Sequence, residues 1–137
     1  MQPISSGSVV PLPADFLRAL RDSQSDEVLV TSREGASRGT VPTWFLIAPP
    51  GVVYLFTFAF STKARRWQKD PWVRLTIPDG NRASATGEVH FVNADEIDDD
   101  LAELIVERWA MQGATTVPGL RRTLRDGVHA LLRVEAT

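Results

Sequence analysis

Four of the fifteen cationic side chains, Lys63, Arg65, Arg66 and Lys69, fall within seven residues of a chain whose net charge is −2. They follow Ser61 and Thr62, either of which can cap a helix running to Lys69, and Asp70-Pro71 stops that helix. A helix N-terminus carries free backbone N–H groups and the positive end of the dipole, so it suits an anion. Lys63 and Arg66 are one turn apart and can face the same ligand. Hydroxyls, amides and one or two cations are the donor set for a phosphate. No fixed glycine pattern of the P-loop kind accompanies them, and the same cations would also suit a solvated helix face.

A second irregularity is Pro42, set in a strand that otherwise alternates well. Proline cannot donate to a ladder, which assigns it to an edge or a bulge, where a flat ligand can approach backbone atoms. Trp44 lies two residues on, on the same face, and offers an aromatic surface; a core tryptophan beside an edge proline is the alternative. The histidines assemble nothing. His90 and His129 fall on strands without a second ligand at metal spacing, and no metal site is expected. The acidic run from Asp95 to Glu103 opens a helix, where carboxylates suit the dipole. Trp67 and Trp72 near the basic residues would allow base stacking, but no wider basic stripe supports a nucleic-acid partner.

The elements that must position these groups can be read from period and punctuation. After a polar lead-in over 1–11, Pro13-Ala14-Asp15 opens a short helix with Phe16, Leu17 and Leu20 on one side. Strands are expected over Glu27–Arg33 and Arg38–Ile47, joined by a turn at Glu34–Ser37. In the second, Arg38, Thr40, Pro42, Trp44 and Leu46 face one way, and Val41, Thr43, Phe45 and Ile47 the other. Pro49-Pro50-Gly51 turns it into Val52–Phe58, the clearest hairpin. Trp72–Ile77, a turn at Pro78–Asn81 and a long strand Arg82–Val92 follow. Ile97, Leu101, Leu104, Ile105 and Trp109 form an amphipathic helical stripe. A loop over Gly113–Gly119, a turn or two of helix over Leu120–Arg125 and a strand Val128–Glu135 close the chain.

With 137 residues, this is the size of one domain, and hairpins outnumber βαβ units, which favours an antiparallel barrel with peripheral helices. The absence of cysteine excludes disulfides, thiolate catalysis and zinc ribbons. The N-terminus lacks a signal-peptide pattern, and the apolar stretch Trp44–Phe60 is broken by Pro49-Pro50-Gly51, so a cytoplasmic protein without a membrane partner is expected.

The ordered set R-G-x-x-P-x-W-F at 38–45, V-Y-L-F-T at 53–57, S-x-K-A-R-R at 61–66, D-P-W-V-R-L at 70–75 and x-G-E-V at 86–89 resembles the pyridoxamine 5′-phosphate oxidase-like FMN-binding split barrels, including their short deazaflavin-dependent relatives. The resemblance implies a mostly β, six-stranded antiparallel split barrel over 1–137 that forms a homodimer with two cofactor sites at the interface. It places the phosphate of FMN or coenzyme F-420 on Ser61, Thr62, Lys63 and Arg66. The isoalloxazine-type ring would lie along Val41, Pro42, Thr43 and Trp44, near Thr57, with Arg82 reaching in from a neighbouring strand. It implies hydride transfer to or from a small organic substrate, and it assigns no catalytic residue. The chain ends Arg133–Thr137 without the W…R-L-x-P-type segment of the true oxidases, which argues against pyridoxamine phosphate as substrate. A non-catalytic dimer that binds flavin or haem is the alternative.

Overall fold

The computed structural model describes residues 10–33, 40–80, 82–110 and 113–136; Arg38 and the expected turn at Glu34–Ser37 lie outside them. Its elements in chain order are α1 (Ala14–Asp22), β1 (Glu27–Ser32), β2 (Thr40–Ala48), β3 (Val52–Phe58), α2 (Thr62–Lys69), β4 (Trp72–Thr76), β5 (Ser84–Val92), a 3-10 turn (Ala94–Glu96), α3 (Asp99–Trp109), α4 (Val117–Arg125) and β6 (His129–Ala136). The six strands close a barrel in the order β1-β2-β3-β6-β5-β4, and every neighbouring pair is antiparallel. This is the split-barrel fold that the resemblance implied. No helix of the described residues is long and apolar enough to cross a membrane.

Alternation along the strands divides the apolar residues between two cores. Val28, Val30, Phe45, Leu55, Leu75 and Leu132 point into the barrel. Phe16, Leu17 and Leu20 of α1 pack into the same cluster, each burial contributing roughly 1.5–3 kcal/mol. Trp67 joins them from α2, so this tryptophan is a core residue with no face free to stack on a base. On the outside, Leu46, Phe56 and Leu131 pack against Ile97, Ala102, Ile105 and Leu120, the apolar stripe of the helical layer. By contrast, Arg74 of β4 and Ser84, Thr86, Glu88 and His90 of β5 face solvent.

Most elements fall within two residues of the sequence reading, and three differences have physical causes. β5 starts at Ser84 instead of Arg82, because Arg82 has φ 55° and its N–H closes onto Asp79 O, so it belongs to the turn. α4 starts at Val117, inside the expected loop. Thr116 caps it by accepting from Gly119 N, and Pro118 fits the first turn, where no N–H is needed. Trp44 is half-buried on the outer face of β2, so the core tryptophan is Trp67.

The acidic run performs the capping expected of it. Asp98 accepts from Leu101 N at 2.8 Å, and Glu96 accepts from Asn93 N at 2.7 Å.

Candidate functional site

β2 is the strand on which the site is built, because its two halves pair on opposite sides. Thr40 to Trp44 pairs with β1, and Trp44 to Ala48 pairs with β3. Each half therefore leaves one edge open, and at each open edge a cationic side chain lies on a backbone carbonyl.

At the first edge, Lys63 Nζ donates to Pro42 O at 3.0 Å and lies 3.5 Å from Thr43 Oγ1. In an extended strand the N and O of one residue point to the same side. Pro42 O is turned toward Lys63, so its ring nitrogen is also turned away from β1, to a side where no ladder bond is required. That is the edge position its chemistry demands. Pro42 is exposed, Thr43 is buried facing the barrel, and Val41 and Trp44 are half-buried.

Lys63 reaches this edge from the N-terminus of α2, where local sequence sets the geometry. Ser61 is extended, at φ −68° and ψ 155°, and its Oγ accepts from Ala64 N at 3.2 Å. Ser61 O accepts from Arg65 N at 3.2 Å, which leaves the amides of Thr62 and Lys63 pointing out of the helix end without an intrahelical partner. Ala64 and Trp67 are buried one turn apart and fix the face that α2 presents. Burial lowers the pKa of Lys63 below its ordinary value of 10.5, an effect partly opposed by the Glu27 carboxylate. The amine forms no ion pair among the described residues, so the helix end, the free amides and a desolvated cation together favour an anion.

The expected site residues divide accordingly. Pro42, Thr43 and Lys63 are brought together, and Ser61 and Thr62 form the adjoining helix end. Arg66 lies half-buried one turn along α2. Thr57 is buried on β3 and pairs with Ala130 of β6. Arg82 is exposed in the β4–β5 turn, where its Nη1 lies 3.4 Å from Pro78 O. Among the described residues no three His, Asp or Glu side chains gather to hold a metal.

At the second edge, Arg108 in the last turn of α3 donates from Nε to Phe45 O at 3.2 Å, and its guanidinium lies 5.4 Å from the Phe45 ring centroid. Phe45 N donates to Asp26 O at 3.3 Å. Sequence reasoning missed Arg108, since its partner lies 63 residues away and nothing local marks it. His129, which the sequence places on a strand, is 2% exposed and stacks against Phe56 at 5.0 Å. Neither ring nitrogen of His129 has a hydrogen-bond partner among the described residues, and burial lowers its pKa.

No protein-family model and no curated protein matches the sequence. Solved structures do match in fold. A protein of unknown function from Agrobacterium tumefaciens is 18% identical with a TM-score of 0.58; the match covers 99% of this chain and 57% of that one. A putative 5-nitroimidazole antibiotic resistance protein from Bacteroides thetaiotaomicron is 15% identical with a TM-score of 0.56, over 90% of this chain and 79% of that one. The haem storage protein HutZ of Vibrio cholerae is also 15% identical with a TM-score of 0.56, over 90% of this chain and 89% of that one. At these identities the shared property is the split-barrel fold.

Proposed function

We propose that the chain is a flavin- or deazaflavin-dependent oxidoreductase whose cofactor phosphate is held at the N-terminus of α2. The observation that carries this reading is Lys63, a partly desolvated cation with no ion pair among the described residues, set against an open strand edge beside free helix amides. That donor set fits the phosphate of FMN or of coenzyme F-420. Lys63 and the Thr62 and Lys63 amides would bind it, with the Ser61 and Thr62 hydroxyls and Arg66 as further donors. The open strand edge at Val41–Trp44 would carry the ring system. When bound, the cofactor would supply hydride transfer, while the protein orients it and limits water access. A second copy of the chain closing over exposed Pro42 and half-exposed Trp44 is part of the reading, as is a small organic substrate.

A non-catalytic flavin- or haem-binding dimer is the second reading, and one structural neighbour is a haem storage protein. The test is titration of the purified protein with FMN, coenzyme F-420 and haemin, followed by visible absorption and by turnover of a quinone or dye. Saturable binding of FMN or F-420 with turnover supports the oxidoreductase. Binding without turnover supports the storage reading, and no binding of either flavin rejects the phosphate site. Sedimentation of the loaded protein at dimer mass is the expected oligomeric result.

A further inference from the structure

The second open edge of β2 floors a groove of about 370 Å3 between the end of α1, the segment 23–26 and the last turns of α3. That is the lower end of the range for small-molecule sites, enough for one ring or a short chain. We propose that this groove binds a small organic carboxylate: Arg108 takes the carboxylate, and the apolar body lies against Leu20, Leu46 and Leu104.

The geometry of Arg108 carries the proposal. A guanidinium has five N–H donors in a rigid fork. Here Nε is spent on Phe45 O, and the plane is held over the Phe45 ring. Neither Nη atom makes a hydrogen bond or ion pair with a described residue, so the paired Nη face is held ready for two carboxylate oxygens. The helix C-terminus beneath it offsets its charge, so the group is stable before any ligand arrives.

The surrounding residues specify the ligand class. Arg21 is a second lining cation with no ion pair among the described residues, and Asp26 contributes one carboxylate to the same rim, leaving a net charge of about one positive. That balance suits a monoanion better than a phosphate dianion. Leu104 is 37% exposed on the wall, an apolar side chain that a ligand body would cover, with Leu20 and Leu46 behind it. Alternation turns the peptide groups of Ile47, like those of Phe45, away from β3 and toward this groove.

The test is calorimetric titration with 3-phenylpropionate, 3-phenyl-1-propanol and inorganic phosphate. Saturable binding of 3-phenylpropionate is expected, at least tenfold tighter than either comparison compound. Arg108→Gln should weaken it at least tenfold. Leu104→Glu, a rim substitution that leaves the fold's buried residues intact, should also weaken it. Lys63→Ala should leave it unchanged, which separates this site from the flavin reading. Absence of binding, equal binding of the alcohol, tighter binding of phosphate, or indifference to both groove substitutions would overturn the proposal.

Discussion

The two open edges of β2 use the same device, a cation on a strand carbonyl, in opposite electrostatic settings. Lys63 approaches Pro42 O from a helix N-terminus, where the dipole and burial both disfavour its charge. Arg108 approaches Phe45 O from a helix C-terminus, where the dipole favours the charge and an aromatic ring adds to it. The first edge is short of an anion and gains most from a dianion such as phosphate. The second is already balanced and offers geometry, which suits a weaker monoanion. A cation on a strand edge is therefore not by itself a phosphate site; the helix end behind it decides.

The strongest way to break the contrast is to remove the support of one edge. Trp67→Ala takes away the core residue that seats α2 and should cost about 3–5 kcal/mol in urea unfolding. Flavin binding should be lost with it, while carboxylate binding at Arg108 should survive in the folded fraction.

A pH measurement sharpens the contrast further. Burial penalises the charged form of Lys63, so that cost is fully present below its lowered pKa and disappears as pH rises through it toward 10.5. A bound phosphate reverses the penalty and raises the pKa. Flavin binding in the alkaline range should therefore take up protons, seen as a dependence of calorimetric heat on buffer ionisation. Carboxylate binding at Arg108 should show none, because a guanidinium does not titrate there.

Smaller effects follow at each end. Ser61→Ala removes the α2 cap and should cost about 1 kcal/mol in chemical unfolding while weakening flavin binding. Arg108→Ala should cost about 0.5–1 kcal/mol, since the side chain is exposed, and should leave flavin binding intact. One source of acid sensitivity, His129 on β6, is a member of neither edge. His129 is buried neutral, so its contribution is present above pH 6.5 and lost as pH falls through its lowered pKa. Thermal melts of His129→Phe should show a flatter acid limb than wild type, with the contrast between the edges unchanged.

Much of the first edge was legible in the sequence. Pro42 within an alternating strand, a hydroxyl pair before a basic helix and Asp70-Pro71 after it are local signals, and the structure joins Pro42 to Lys63. The second edge was not legible. Arg108 sits on the polar side of an amphipathic helix, and only barrel closure and the docking of α3 on β2 bring it to Phe45. Trp44 and Trp67 show the same division. Trp44 lies beside Pro42 and Trp67 within the basic segment, but the pairing of β2 with β1 and β3 leaves Trp44 on the outer face, while Trp67 follows Ala64 by one turn into the core. The start of α4 was a missed local signal, since Thr116 and Pro118 form an ordinary cap and first turn.

If the anion-deficient edge is the flavin-phosphate site, Lys63 must carry a large share of the cofactor's affinity. The direct measurement is the affinity of FMN and of coenzyme F-420 for wild type, Lys63→Ala and Arg65→Ala, the last an exposed cation on the same helix. A charge-assisted hydrogen bond to phosphate contributes about 1.5–3 kcal/mol, so Lys63→Ala should lose roughly ten- to a hundredfold for the flavin that binds, and Arg65→Ala should lose little. Unchanged affinity in Lys63→Ala, or an equal loss in both variants, would contradict the account.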